Sequence, residues 1–209
     1  MSEDAGAFGR PQAAAVEKIG RRLVDVGFGQ SDSLLTPGQP VWTADHLAEL
    51  KSDYSDRPDA GSGGFFEKLD QQLETTSSGA IQLFAELLIV NVLPIINLSG
   101  ALKLKQVETV LERCHPPVSI PDDVREALLG GGVYHGGQAF GNYKWKQIVY
   151  LIEVAQHFKQ LPDQRRIDAL ADPLIFREEV DTVSTGQAAQ RQSLLYLAFP
   201  DFFLPIVSA

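Results

Sequence analysis

The sequence predicts an all-α fold, a single helical domain of about eight to ten helices around two long buried helices. Apolar residues recur at helical spacing in nearly every segment, and convincing period-2 alternation is absent. The chain has 209 residues, of which 44% are hydrophobic and 22% are charged, a composition typical of globular proteins. A chain of this length can bury a sizeable core.

Residues 1–54 are predicted to form N-terminal helices. These helices could be a subunit of the domain that a flexible linker attaches to the main body. Within them, the Gly-, Ser- and Pro-rich segment 27–40 indicates a loop, and Thr43 is placed to cap the next helix. The turn-rich segment 55–64, SDRPDAGSGG, predicts the linker or loop. The apolar residues at helical spacing here are Val16, Ile19, Leu23, Val26, Leu47, Leu50 and Tyr54.

The main helical body is predicted over residues 65–209, and its most apolar run, 80–98, indicates a central core helix. Ser77 or Ser78 can cap this helix, and Pro94 ends its regular hydrogen bonding. A membrane span is not expected, because a span of about 20 residues rarely tolerates several polar side chains. The polar residues in the run are Gln82, Glu86, Asn91 and Asn97.

The second long buried helix is predicted over residues 139–161, where two apolar rows indicate burial against several neighbours. Pro121 and Pro162 are each placed to begin a short helix. Asp172 followed by Pro173 is typical of an N-cap and a first helical position. One further helix is predicted from an apolar stripe formed by Leu104, Val107, Leu111 and Cys114.

The segment 130–141 contains six glycines in twelve residues. Gly132 and Gly137 have the spacing of a phosphate-binding P-loop, but Gln138 and Ala139 replace its Lys and Ser/Thr, and no strand is predicted before it. The favoured alternative is a connection whose glycines let two backbones pack closely. The other alternative is a loop that presents aromatic and histidine side chains to a ligand, namely Tyr134, His135, Tyr143 and Trp145.

The chain ends in the apolar sequence FPDFFLPIVSA, with no polar tail. A mobile terminus gains little from exposed apolar groups, so two interpretations stay open. The chain is a fragment of a longer protein, or its last residues fold back onto the core.

The chain has 18 basic and 27 acidic residues, which gives a formal net charge of −9. A nucleic-acid-binding protein usually carries an excess of basic residues, and the chain as a whole carries an excess of acidic ones. Five basic residues do cluster in sequence, and they could contact phosphates if the fold brought them together. They are Lys144, Lys146, Lys159, Arg165 and Arg166.

The single cysteine, Cys114, allows no intrachain disulfide and no thiolate metal cluster, which suits a reducing compartment. The N-terminal sequence is polar and lacks the apolar core of a secretory signal. We therefore expect a cytoplasmic protein.

No catalytic constellation is recognisable in the sequence. The four histidines form no HExxH motif and no i, i+4 pair, and GxSxG is absent. The carboxylate pairs Asp122–Asp123 and Glu178–Glu179 lie at predicted helix starts or on polar faces, where they interact with helix dipoles or water. We expect a chain that is not an enzyme and holds no cofactor or metal.

Several apolar and aromatic phrases, taken in order, resemble the region upstream of the AAA+ module in McrB-like NTPases. The resemblance covers residues 42–208, nearly the whole chain. The phrases are WTADHLAEL (42–50), FFEKLDQQL (65–73), IQLFAELLI (81–89), SIPDDVREAL (119–128), GGQAFGNYKWKQIVYLIE (136–153), DPLIFREEVDTV (172–183) and RQSLLYLAFPDFFLPIVS (191–208).

McrB-like NTPases are motors of modification-dependent (type IV) restriction and related anti-phage systems. The resemblance implies a non-catalytic recognition or adaptor module, with an AAA+ motor that uses GTP or ATP following beyond residue 209. Implied partners are modified DNA, the AAA+ domain of the same parent chain and a partner nuclease, with no membrane contact. The alternative is a protein–protein scaffold or sensor domain without nucleic-acid contact, which the acidic charge favours.

If the domain does contact a ligand or DNA, the sequence offers a short set of candidate residues. The aromatic and histidine candidates come from the glycine-rich segment, where Tyr134 is expected to be more exposed than Trp145, a predicted core residue. The basic candidates come from the charged cluster. The full set is Tyr134, His135, Tyr143, Lys144, Lys146, Arg165 and Arg166.

Overall fold

A computed structural model describes residues 13–57, 63–183 and 187–206 of the chain. In this part the predicted all-α class is confirmed, and the only β-type pairing is an isolated parallel bridge between Ile95 and Tyr134. The helices are α1 (Ala13–Leu23), α2 (Ala44–Leu50), α3 (Phe65–Gln72), α4 (Ser78–Val92), α5 (Gly100–Leu111), α6 (Asp122–Leu129), α7 (Gly137–Asn142), α8 (Lys144–Gln160), α9 (Asp163–Ala171), α10 (Pro173–Asp181) and α11 (Ala188–Ala198).

The central helix α4 carries the core, as the apolar run predicted. Thirteen of its fifteen residues are buried, and it contacts α2, α5, α8 and α11. The second long helix, α8, packs directly on α4. The buried apolar side chains of the described residues form one continuous cluster, which includes those of α1 and α2.

Side-chain caps fix several helix starts. Thr43 accepts a hydrogen bond from the backbone N–H of His46 at 3.2 Å, and Asp172 accepts one from that of Leu174 at 2.8 Å. Ser77, and not Ser78, caps α4 by accepting from the backbone N–H of Ala80 at 3.3 Å. Each cap contributes about 1 kcal/mol to stability.

The predicted helix 139–161 is divided in the structure into α7 and α8. The backbone of Tyr143 leaves helical geometry (φ −108°, ψ 26°), so that a new helix begins at Lys144. Two π-helical segments, Val24–Gly29 and Lys51–Ser55, continue α1 and α2. Residues 58–62 of the predicted 55–64 linker lie outside the described residues.

The first part of the glycine-rich segment packs tightly against the chain that follows α4. A Cβ atom on Gly132 would lie 2.2 Å from the carbonyl carbon of Ile95, so only glycine fits there. The backbone N–H of Val133 donates to the carbonyl oxygen of Pro94 at 2.7 Å. The backbone N–H of Ile96 donates to the carbonyl oxygen of Tyr134 at 2.8 Å. Residues 131–134 therefore form the close backbone connection that the sequence analysis favoured.

Three buried amide side chains connect the helices at the centre of the fold. The Nδ2 group of Asn91, on α4, donates to Gln147 on α8 and to Gln190 on α11, at 2.7 Å in both cases. All three side chains are almost completely inaccessible to water. These two hydrogen bonds offset part of the cost of burying the amides in an apolar core, and Asn91 Oδ1 and Gln190 Nε2 have no partner among the described residues.

The apolar C-terminal segment is partly folded back. The ring of Phe199 lies 5.5 Å from that of Phe176 in α10, and the guanidinium of Arg21 covers it at 4.8 Å. Phe202, Leu204 and Ile206 are more than half exposed. Residues 207–209 lie outside the described residues.

Candidate ligand pocket

The fold separates the basic residues that cluster in sequence. Lys144 and Lys146 lie at the start of α8, whereas Arg165 and Arg166 follow its end. The two pairs flank opposite ends of α8, which has 17 residues and is therefore about 25 Å long. These residues do not form one basic patch.

The two arginines are engaged in ion pairs. Arg165 pairs with Glu178 at 2.8 Å and also with Glu179, on α10. Arg166 pairs with Asp163 at 2.5 Å. Phosphate contact by either guanidinium would have to compete with these carboxylates.

The expectation that Tyr134 is exposed is wrong. Its side chain is only 5% exposed, and its hydroxyl group donates to Ser193 Oγ at 2.5 Å. Burial raises the pKa of Tyr134 well above its ordinary value. Tyr134 is a core residue that links the glycine-rich segment to α11, and a ligand cannot reach it.

His135 and Tyr143, two further candidates, lie on the surface. His135 Nδ1 accepts a hydrogen bond from the backbone N–H of Gly137 at 3.1 Å. The ring of Tyr143 is contacted by its neighbour on α8, since Lys146 Nζ lies 5.4 Å from the ring centroid.

Lys144 points into a pocket of about 310 Å³ between three helices. This volume is at the lower end of the range for small-molecule sites, about 300–1,000 Å³. Aromatic rings, amines and amides line the pocket together. Its main lining residues are Phe65, Phe66 and Lys68 from α3, Gln106 from α5, and Lys144 and Trp145 from α8.

The ammonium group of Lys144 is held without a carboxylate among the described residues. Its Nζ atom donates to Gln106 Oε1 at 2.5 Å and lies 5.5 Å from the centre of the Phe65 ring. Burial lowers the pKa of Lys144 to about 8, because a charged amine is poorly solvated there. An anion that entered the pocket would compensate this loss of solvation.

Several contacts hold α3 and the aromatic residues of the pocket in place. Phe65 and Phe66 meet edge to face, with ring centroids 5.1 Å apart. Gln72, at the end of α3, donates to the carbonyl oxygen of Arg57 at 3.4 Å, and Asp70 pairs with Arg113. These two contacts anchor the C-terminal part of α3 to its neighbours.

Trp145 was predicted to lie in the core, and the structure places it half-buried at the edge of the pocket. Its ring centroid is 6.3 Å from that of Tyr54. Its Nε1 group is buried and meets no hydrogen-bond acceptor among the described residues.

No protein-family model matches the chain, and no curated protein or solved structure is significantly similar to it. The resemblance to McrB-like NTPases therefore stays a prediction. None of the helices in the described part of the chain is long and apolar enough to span a membrane. That part also contains no group of three His, Cys, Asp or Glu side chains placed to hold a metal ion.

A second pocket, also of about 310 Å³, lies beside His46 and differs in character. The imidazole ring packs on Gly79, where a Cβ atom would lie 2.4 Å from it, and Nδ1 is bonded to the carbonyl oxygen of Val41 at 2.8 Å. None of the described residues that line this pocket is Asp, Glu, Lys or Arg. The first pocket is the better candidate site, because charged and aromatic groups converge there. We call it the lysine–aromatic pocket after Lys144, Phe65 and Phe66.

Sequence reasoning missed the buried carboxylate of Glu86, which organises the loop before α2. It accepts hydrogen bonds from Ser33 Oγ at 2.5 Å, Trp42 Nε1 at 2.7 Å and the backbone N–H of Leu34 at 3.0 Å. Burial raises the pKa of Glu86, and these hydrogen bonds oppose that shift. With so many donors around it and no access to solvent, this carboxylate has a structural role.

Proposed function

We propose that the chain is a non-catalytic recognition or adaptor module of a McrB-like restriction NTPase, acting upstream of a DNA-translocating AAA+ motor in phage defence. The resemblance over residues 42–208 and the all-α fold support this proposal. Modified DNA is the proposed target of recognition, and the motor domain and a partner nuclease are the proposed partners.

The lysine–aromatic pocket is the observation that carries the recognition role. It places the half-buried amine of Lys144 beside Phe65, Phe66 and the amide of Gln106. Binding pockets typically combine apolar walls with a few polar groups that orient the ligand. A recognition module needs such a place, and no catalytic pairing of side chains is required in it.

A protein–protein scaffold or sensor without nucleic-acid contact is the second candidate. The charge of −9 and the ion-paired state of Arg165 and Arg166 favour it, because duplex binding depends on free cations. Apolar side chains that a protein partner could cover are exposed on α9, on α10 and in the C-terminal segment. They are Ile167, Leu174, Phe202, Leu204 and Ile206.

Titration with methylated and unmodified duplexes of one sequence separates the two candidates. For modified-DNA recognition we expect tighter binding of the methylated duplex, weaker binding at higher salt, and loss of affinity in Lys144→Gln but not in Lys146→Gln. Equal or absent binding of all duplexes would contradict that role. The scaffold candidate would then require a protein partner whose capture is lost in Leu174→Ser.

The parent gene provides an independent check of the family assignment. We expect a Walker A motif, G-x-x-x-x-G-K-[ST], in the reading frame beyond codon 209. A reading frame without a motor domain would remove the main support for the McrB-like role.

A further inference from the structure

The lysine–aromatic pocket brings together two kinds of group that select for different chemistry. The ammonium of Lys144 is bonded only to a neutral amide, Gln106 Oε1, at 2.5 Å among the described residues. A buried cation favours a partner of opposite charge, and a short hydrogen bond to an anion is stronger than one to an amide.

The aromatic lining favours a flat apolar group. Phe65 and Phe66 are adjacent rings with an interplanar angle of 88°, and both line the pocket, where a ligand ring can pack against them. Lys144 Nζ lies 5.5 Å from the centre of the Phe65 ring, which puts the cationic and aromatic features within the span of one small molecule.

The charged groups among the described residues that line the pocket are positive. The pocket lies at the N-terminal end of α8, a helix of 17 residues whose dipole places partial positive charge there. Among the described residues that line the pocket, Lys68 is the other charged one, and none is Asp or Glu.

We infer that this pocket binds a small organic anion that carries a planar ring, with the anionic group on Lys144 and the ring against Phe65 and Phe66. Both parts are needed, because the amine alone does not distinguish the ligand from inorganic anions and the rings alone do not bind charge. The inference rests on the proposed recognition role and names the ligand class for that same site.

Phenyl phosphate is the test ligand, with phenol and inorganic phosphate as its two halves. The intact chain is titrated with each compound by calorimetry, and tryptophan fluorescence is followed in parallel. Trp145 lines the pocket, whereas Trp42 is fully buried against Glu86 at another place. We expect saturable binding of one phenyl phosphate per chain, and no saturation by either half at the same concentrations.

Two lysines two positions apart give a matched pair of variants. Lys144→Gln removes the amine in the pocket, and Lys146→Gln removes the exposed amine beside Tyr143. We expect about a tenfold loss of affinity in the first variant and less than about a twofold change in the second. Equal losses in both variants would overturn the inference, since they would indicate attraction by net charge alone.

Phe66→Leu tests the ring side and does not depend on the folding of the lysine variant. It keeps apolar volume but removes the ring, so phenyl phosphate should bind several-fold more weakly. Amide chemical-shift changes in the parent chain should be confined to residues 64–73, 102–108 and 142–147. Unchanged affinity in this variant, or shifts elsewhere, would contradict the assignment.

Failure of this inference differs from failure of the proposed function. If the chain binds methylated duplex more tightly than unmodified duplex but does not bind phenyl phosphate, the recognition role stands and the small-anion site is refuted. A chain that binds phenyl phosphate with the expected variant pattern keeps the site, whatever the duplex titration shows.

Discussion

The ammonium group of Lys103 lies 2.9 Å from the carbonyl oxygen of Gly131 and is completely buried. The same group donates to the carbonyl oxygen of Leu93, also at 2.9 Å. It thereby joins the C-terminal end of α4, where helix carbonyls lack partners, to the glycine-rich segment. Burial lowers the pKa of Lys103 to about 8.

Lys103→Met tests this link. The variant keeps most of the side-chain volume but removes the donor from the buried carbonyl group of Leu93 and the half-buried one of Gly131, so we expect a loss of about 1–3 kcal/mol in the free energy of unfolding. Urea denaturation followed by circular dichroism measures it. Lys105→Met, at an exposed position of the same helix, is the control and should change stability by less than about 0.5 kcal/mol. Equal stabilities of the two variants would show that the link contributes nothing.

Glu86→Gln tests the loop that wraps the buried carboxylate. The amide keeps one acceptor oxygen but turns its NH₂ group toward donors such as Trp42 Nε1 and Ser33 Oγ. We expect a loss of about 2–3 kcal/mol in the free energy of unfolding and a change in Trp42 fluorescence. Glu74→Gln, at an exposed site, serves as the comparison, and a similar stability for both would refute the structural role of Glu86.

Gly132→Ala tests the close approach of two backbones. The added Cβ atom would lie 2.2 Å from the carbonyl carbon of Ile95, so the backbone must move, and we expect a loss of about 3 kcal/mol or more in the free energy of unfolding. At Gly130, whose φ is −68°, the nearest atom would be 3.2 Å away. Gly130→Ala should therefore change stability by less than about 1 kcal/mol. Thermal unfolding of the two variants measures this difference in stability. Equal unfolding midpoints would contradict the close packing of Gly132 on Ile95.

The affinity for phenyl phosphate should fall between pH 7 and pH 9. Burial lowers the pKa of Lys144 to about 8 in the free protein, and a bound anion favours the ammonium form, so binding is strongest below that pKa. The phosphate group keeps its charge in this window, because its second pKa is about 6. We expect a loss of about fivefold to tenfold, measured by calorimetry at several pH values.

The matched variants assign this pH dependence to one side chain. Lys144→Gln should bind weakly with little change over the same window. Lys68→Gln, which removes the other amine that lines the pocket, should keep the decline. A flat profile in the wild type, or the same decline in Lys144→Gln, would exclude Lys144 as the group that titrates.

The local signals in the sequence predicted the helices well. Asp172 with Pro173, Thr43, and a serine before the apolar run 80–98 each indicated a helix start, and each starts a helix in the structure. These signals depend on residues a few positions apart, so one sequence contains all that is needed. The break at Tyr143 was not predicted, because an apolar pattern does not record the backbone angles of one residue.

The candidate site depended on contacts that no sequence spacing encodes. Tyr134 is buried because its hydroxyl meets Ser193, 59 positions away, and Arg165 is occupied because α10 brings Glu178 beside it. The pocket draws Phe66, Gln106 and Lys144 from three helices. Phe66 carried only the signal of an apolar helix face, and Gln106 carried no signal at all.

The amides of Asn91, Gln147 and Gln190 fix how far each helix can slide along its neighbours. An apolar surface offers similar contacts at several positions along a helix. A buried amide, in contrast, meets its hydrogen-bond partner at only one position along the helix axis. A displacement of α8 or α11 by one turn, about 5.4 Å, would leave buried amides without partners, at about 1–3 kcal/mol for each group. The hydrogen bonds among these three side chains thus select one arrangement of α4, α8 and α11 over others with similar apolar packing.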